Sequence, residues 1–157
     1  MTFIKKKRPP ALGLTNRVGL RAVKSRTSPK SARTGVSMGK MKKELDRVFS
    51  LFIRAKYPKF CYTCNKPSER LQNGHFISRI YLVTRWEEKN CRPQCWGCNG
   101  YGKGQPLIFE ENLKAEYGND LVEKMKASRH QILKLDRNWY TEKIDFYKKE
   151  LEMLSPH

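Results

Sequence analysis

Two cysteine pairs constrain this chain more than anything else in it: Cys61-Tyr-Thr-Cys64 and Cys95-Trp-Gly-Cys98. Two residues between thiols let both sulfurs turn toward one ion. Two such pairs complete a tetrahedral set of four thiolates, the ligand set of structural Zn²⁺. The region they bracket cannot hold itself together by burial. Residues 60–100 are dense in Cys, Gly, Asn and Pro, so a metal is expected to staple them. Thirty residues separate Cys64 from Cys95, more than a plain zinc ribbon needs. The insert is long enough for a β-hairpin, with strands expected near 70–77 and 82–87, and it contains Asn73-Gly74-His75. The zinc is then a frame, and the function is expected in what it frames. A fifth thiol, Cys91, stands at the poorer x3 spacing from Cys95. It could replace Cys95 or Cys98 as a ligand, but it reads better as a small buried hydrophobe. A redox role fits poorly, because redox dithiols open a helix in a βαβ setting.

The sequence around this frame is helical. In "MKKELDRVFSLFIRAKY" (41–57), Leu45, Val48, Phe49, Phe52 and Ile53 form one apolar stripe at i, i+3, i+4 spacing, and Pro58 stops the helix. "LIFEENLKAEYG" ends at Gly118, a C-terminal stop, and "NDLVEKMKASRHQILKL" opens with Asn119 or Asp120 as N-cap. A last helix over about 138–154 repeats Tyr140, Ile144, Tyr147, Leu151 and Leu154. That seam is expected to pack on the domain, with a dimer contact as the lesser option.

Charge divides the chain unevenly. Of its 33 Lys and Arg residues, thirteen lie in residues 1–43, where there is no acid; the remainder carries twenty against fifteen acids. Residues 1–40 are also rich in Ser, Thr, Gly and Pro, and are expected to form a disordered basic arm. Such an arm favours polyanions through counterion release. Lys5, Lys6, Lys7 and Arg8 in the arm, with Lys42, Lys43 and Lys103 beyond it, are the expected nucleic-acid contacts. Residues 41–157 are expected to be one domain, since 157 residues are enough for one modest core. No apolar run approaches 18 residues and "MTFIKKKRPP" is no secretory signal, so no membrane association is expected. A cytoplasmic, reducing location follows, and there five cysteines point to metal rather than disulfides.

"CYTCNKPSERLQNGHFISR…RWEEKNCRPQCWGCNGYGKG" resembles the phage NinG/Rap family of recombination endonucleases. It is similar more broadly to the HNH, or ββα-metal, nucleases with a treble-clef zinc site. The elements that carry the resemblance are "GHF", "RW-x3-N", "PQC-x2-CN" and the late "EYG", and it covers roughly residues 45–154. It implies a small α+β fold: a zinc-stapled ββα-metal core flanked by helices, with a helix from about 96. It implies that Cys61, Cys64, Cys95 and Cys98 hold structural zinc, that His75 is the general base, and that Asn99, on the first turn of the following helix, reaches a catalytic metal. Phosphodiester hydrolysis suits those types. A neutral imidazole, with an ordinary pKa of about 6.5, takes a proton from water. A hard cation such as Mg²⁺ or Mn²⁺ offsets the developing charge. Arg79 would clamp the phosphate, or is a surface arginine.

One feature departs from the pattern. Many HNH enzymes carry Asp just before the histidine, whereas this chain has Gly74, and no carboxylate lies between Glu69 and Glu87. Glu87 or Glu88 is then expected to contribute from the second strand, or His75 is itself a metal ligand. Asn90 is expected to fix the loop before the second knuckle, and His130 reads as a surface histidine. The expected function is a metal-dependent DNA endonuclease in phage recombination, acting on duplex or branched DNA such as Holliday junctions; cutting two strands favours a homodimer. The competing expectation is a non-catalytic four-cysteine module that binds DNA or RNA, with Tyr62, Trp96 and Tyr101 stacking bases.

Overall fold

The computed structural model describes residues 35–155. Lys5, Lys6, Lys7 and Arg8, the expected disorder of the arm, and His157 lie outside the described residues.

Helix α1 (Met38–Lys56) starts earlier than its apolar stripe predicts, because the Ser37 hydroxyl accepts from the Lys40 N–H at 3.4 Å and caps it. The last three residues assigned to the arm are therefore its first turn. Its stripe (Leu45, Val48, Phe49, Phe52, Ile53, joined by Met41) is buried. It packs against the C-terminal helix, α5 (Arg137–Leu154), which Asp136 caps through the Trp139 N–H at 2.8 Å. Tyr140, Ile144 and Tyr147 of the predicted seam are buried there, with the Tyr147 ring 4.9 Å from Phe49 and 5.1 Å from Phe52. The seam is thus spent inside the domain as far as Tyr147, while Leu151 is half-buried and Leu154 exposed.

Between these helices runs a two-stranded antiparallel sheet, β1 (Leu71–His75) with β2 (Cys91–Cys95), in the register Leu71↔Cys95 to His75↔Cys91. The second strand is not the one expected. Residues 82–85 form one helical turn, α2 (Leu82–Arg85). Their apolar, β-branched character mimics a strand, but Thr84 is buried at the turn, and the Asn90 side chain locks the loop. Asn90 accepts from the Ile77 N–H at 2.7 Å and donates to the carbonyls of Ile77 (3.0 Å) and Thr84 (2.9 Å). The true strand hides its signal because its polar residues Arg92 and Gln94 are buried, which breaks the usual alternation.

The helix expected from 96 is also shorter. Residues Gly97–Tyr101 make a single π-helical turn. Lys103, Gly104 and Gln105 then adopt positive φ in succession, which no right-handed helix can continue through. Gly102 is required here: a Cβ would lie 2.8 Å from the Cys98 carbonyl and 3.1 Å from that of Gly97. Helix α3 begins only at Pro106 (Pro106–Tyr117). After Gly118 comes α4 (Asn119–Ser128), shorter than predicted, with Gly118 rather than Asn119 or Asp120 at its N-cap. Ile77, Phe109, Leu113, Val122 and Met125 form a second small core under these helices. No helix among the described residues is long and apolar enough to cross a membrane.

Candidate functional site

The tight turn after Cys61 and the π turn after Cys95 bring four sulfurs together. Those of Cys61, Cys64, Cys95 and Cys98 all lie within 4.8 Å of one another, and Cys64 and Cys95 Sγ are 3.9 Å apart. A tetrahedral zinc thiolate site has sulfurs roughly 3.8 Å apart for bonds of about 2.3 Å, so the donor set and spacing fit. The electrostatics ask for a cation. Burial opposes the Cys61 thiolate, but the Thr63 hydroxyl and the backbone N–H groups of Cys64, Cys95 and Thr63 outweigh it and pull the thiol down to about 6. Cys98 goes the other way: its contact with Thr63 is overcome by burial and by the other three sulfurs, and it is pushed up to about 12. Four thiolates ionise together only around a positive ion. The four-cysteine cluster is compatible with structural zinc. Cys91 is outside it, fully buried among the α1 and α5 side chains, as expected of a small hydrophobe.

Beside the cluster lies a polar cleft, made of two adjoining cavities of about 410 and 300 Å³. Asn73, His75, Arg79 and Asn99 line both. Alternation along β1 puts Asn73 and His75 on one face, and the knuckle turn supplies Asn99, which donates to the Gln72 side-chain oxygen at 2.8 Å. His75 Nε2 lies 3.1 Å from the Arg85 carbonyl. A carbonyl only accepts, so Nε2 carries the proton and Nδ1 keeps its lone pair. Burial, aided by the charges of Arg85 and Arg79, holds His75 below the usual imidazole range despite that carbonyl and Asp46. The imidazole is neutral and basic at Nδ1 at physiological pH. Arg79 is exposed and its carbonyl accepts from the Arg85 guanidinium. Lys103 is also exposed and lines the larger cavity, whereas Lys42 and Lys43, on α1, line neither.

Sequence reasoning missed Asp46, the carboxylate that α1 contributes to the smaller cavity. It is already engaged, accepting from Arg85 Nε (2.8 Å), Arg85 Nη2 (2.6 Å) and Trp86 Nε1 (2.9 Å). It thereby anchors the residue whose carbonyl orients His75. No local signal marks it, because the partners lie about forty residues away in sequence. Glu87 and Glu88 do not take the expected role. Glu88 pairs with Lys56 (2.7 Å) and accepts from the Tyr57 hydroxyl (2.8 Å), and Glu87 lines a separate groove with Lys89. Gly74 has its own explanation: a Cβ there would meet the Gln94 side chain, at 2.8 Å from Cγ and closer to its amide. The position before the histidine faces packed protein.

The donors available to a second cation are therefore neutral. The Asn73 side-chain oxygen is buried without a partner, and Asn99 offers an amide oxygen. Hard cations ordinarily take one or two carboxylates with the substrate's phosphate oxygens. This set supplies no unpaired carboxylate among the described residues, and does not fit a cation held by the protein alone.

A larger cavity of about 520 Å³ lies beside Tyr57, Cys61 and Arg92. Size does not make it the site. Its Glu116 is paired with Arg92 at 2.5 Å, and the guanidinium is boxed by the rings of Tyr57, Tyr62 and Tyr117, 4.2, 5.4 and 5.2 Å from their centroids. Tyr62 is accordingly half-buried, its ring 4.9 Å from Phe109 and its hydroxyl donating to Glu116 at 2.9 Å, so it is not an exposed stacking residue. His130 is exposed just past α4, its ring edge-on to Tyr81 at 5.3 Å.

Fold and site define a small mixed α/β protein whose four-cysteine cluster frames a histidine–amide cleft. The model of the family described as Bacteriophage Lambda NinG protein matches residues 16–156, and the chain belongs to that family. The match begins inside the basic segment, further toward the N-terminus than the resemblance read from residues 45–154. No curated protein and no solved structure matches the chain significantly.

Proposed function

We propose that this NinG-family protein is a metal-dependent DNA endonuclease, an HNH-like phosphodiester hydrolase built on a ββα-metal core with a treble-clef zinc site, acting in phage recombination. The single observation that carries the reading is the state of His75. Its Nε2 proton is committed to the Arg85 carbonyl, its pKa is held down, and Nδ1 is left basic in a cleft with Asn99 and Arg79. A general base needs a lone pair that is free at neutral pH.

The chemistry follows from the residues present. His75 Nδ1 takes the proton of a water aligned with a scissile phosphate. Arg79, unpaired with any acid among the described residues, offers a guanidinium for the phosphate oxygens. Asn99 and Asn73 would hold a Mg²⁺ or Mn²⁺ ion, which when bound would supply positive charge at the reacting phosphate. The zinc cluster fixes the turn that carries Asn99. The segments forming the cleft, residues 70–86 and 89–109, contain no Asp or Glu, and Asp46 is neutralised by Arg85, so a polyanion meets no repulsion there. Branched DNA such as a Holliday junction is the substrate this reading favours. Cutting two strands then calls for paired subunits, and sedimentation showing only monomer, with and without DNA, would remove that part.

The absence of a free carboxylate in the cleft favours one other reading, a non-catalytic zinc module that binds DNA or RNA. One assay separates the two. Zinc-loaded protein is incubated with supercoiled plasmid, linear duplex and a four-way junction, with Mg²⁺, Mn²⁺ or neither. Metal-dependent cleavage that disappears in His75→Ala, with DNA binding retained, supports the hydrolase. Tight binding without cleavage under either metal leaves the binding module.

A further inference from the structure

The π turn of the second knuckle, with the residue just before it, carries two large aromatics that the domain does not use. Trp96 is 60% and Tyr101 82% exposed, although Trp96 stands between Cys95 and Cys98. The two rings face each other instead, with centroids 5.7 Å apart and planes at 52°. The Trp96 indole lies over the turn's backbone, its Nε1 3.3 Å from where a Cβ on Gly100 would stand. The turn closes through the Gly102 N–H to the Gly97 carbonyl at 2.7 Å and the Gly104 N–H to the Cys98 carbonyl at 2.9 Å. Rigid, exposed indole and phenol rings lose little entropy on contact.

Their surroundings select the partner. Asn99 and Lys103, on or next to the same turn, line the histidine cleft, and Lys103 makes no ion pair among the described residues. No acid occurs from Lys89 to Phe109. An apolar protein partner would meet a rim of uncompensated positive charge. A nucleic-acid strand brings both complements, phosphates for the cations and flat apolar faces for the rings. In a duplex those faces are already stacked on each other.

We infer that Trp96 and Tyr101 form a stacking platform for unpaired nucleobases, so that the protein recognises DNA with a single-stranded or unstacked segment beside the cleft. This rests on the reading of the cleft as a DNA-binding site. It does not require that the cleft cleave.

The test is a binding measurement on the full-length zinc-loaded protein without added Mg²⁺ or Mn²⁺. Fluorescence anisotropy compares an oligothymidine strand, a blunt duplex and a duplex with an unpaired bulge. Stacking on one aromatic side chain is worth about five- to hundredfold in affinity. The variant carrying Trp96→Ala and Tyr101→Ala should therefore lose at least about tenfold on the strand and the bulge, with duplex affinity within about twofold and zinc content unchanged. Trp96→Phe should restore binding but abolish the tryptophan quenching that oligothymidine produces, since Trp86 is buried and Trp139 half-buried. Equal losses on all three probes, or no loss on any, overturn the platform. So does a fall in sedimenting mass with binding intact, which makes the pair a subunit contact. Failure to bind any DNA removes the cleft reading and the platform together, while stacking without cleavage removes only the hydrolase.

Discussion

Gly74→Ala is a small change that the structure predicts to be costly. A methyl group at position 74 would stand 2.0 Å from Gln94 Oε1, 2.6 Å from its Cδ and 2.8 Å from its Cγ. A flexible side chain in open solvent would swing away, but Gln94 is fully buried. Its Nε2 donates to the Gly104 carbonyl at 2.8 Å and reaches the Thr63 hydroxyl at 3.3 Å, so it ties the two knuckle turns together. Forcing an extra methyl into a packed site costs about 1–3 kcal/mol, and displacing the amide loses a hydrogen bond worth about 1 kcal/mol. Gly74→Ala should then destabilise the zinc-loaded domain by roughly 2–4 kcal/mol, against a typical total of about 5–15 kcal/mol. Urea unfolding at fixed zinc concentration measures it. Gln94→Ala removes the obstacle while giving up the same bonds, so the double variant should be no less stable than Gln94→Ala alone, and the two losses should fail to add. A Gly74→Ala variant within about 0.5 kcal/mol of wild type, or losses that simply sum, would refute the packing argument. The explanation for the missing aspartate before His75 would go with it.

Further outcomes are expected, the kinetic ones on the hydrolase reading. Because burial lowers the His75 pKa, Nδ1 stays deprotonated as pH falls from neutrality, and cleavage should drop only below about pH 6.5; a rate still rising above neutrality contradicts this. The same shift makes the folded state bind fewer protons than the unfolded one, so His75's contribution to stability is lost as pH falls from about 6.5 through the lower folded pKa, visible as an acid-side drop in denaturation midpoint that His75→Ala removes. Asp46→Asn should lower kcat by up to about a hundredfold through misplacement of the Arg85 carbonyl and His75, with KM within about twofold; a change confined to KM points to a substrate contact instead. Cys91→Ala should leave zinc stoichiometry unchanged, whereas Cys98→Ser lowers it. In the folded protein Cys91, which burial keeps protonated, should resist thiol reagents that reach the other cysteines once zinc is removed.

The elements that were readable from the chain are those set by local rules. The α1 and α5 stripes, the Gly118 stop and the two C-x2-C pairs are patterns of spacing, and spacing survives in the fold because helical periodicity and chelate geometry act over a few residues. The errors fall where a distant partner overrides local preference. Leu82–Arg85 looks like a strand and is a helical turn, because Asn90 reaches back to Ile77 and Thr84. Cys91–Cys95 looks too polar for a buried strand, yet Arg92 finds Glu116 and three tyrosines, and Gln94 finds Gly104. Tyr62 reads as available for stacking and is taken by Phe109 and Glu116.

The site divides along the same line. Sequence alone picked out the candidates: four thiols at chelating intervals, one histidine after a glycine, one asparagine behind the last thiol. Each is a matter of residue type and short-range order. Only the tertiary structure decided their state. His75 owes its tautomer to a carbonyl ten residues away, and that carbonyl owes its position to Asp46 on another helix. Asn99 lines the same cleft as His75 because the knuckle turn folds against β1, where it donates to Gln72, and Trp96 is left exposed because that turn has no helix to pack it. Burial, charge and proton position are properties of neighbours in space, and the chain order does not contain them.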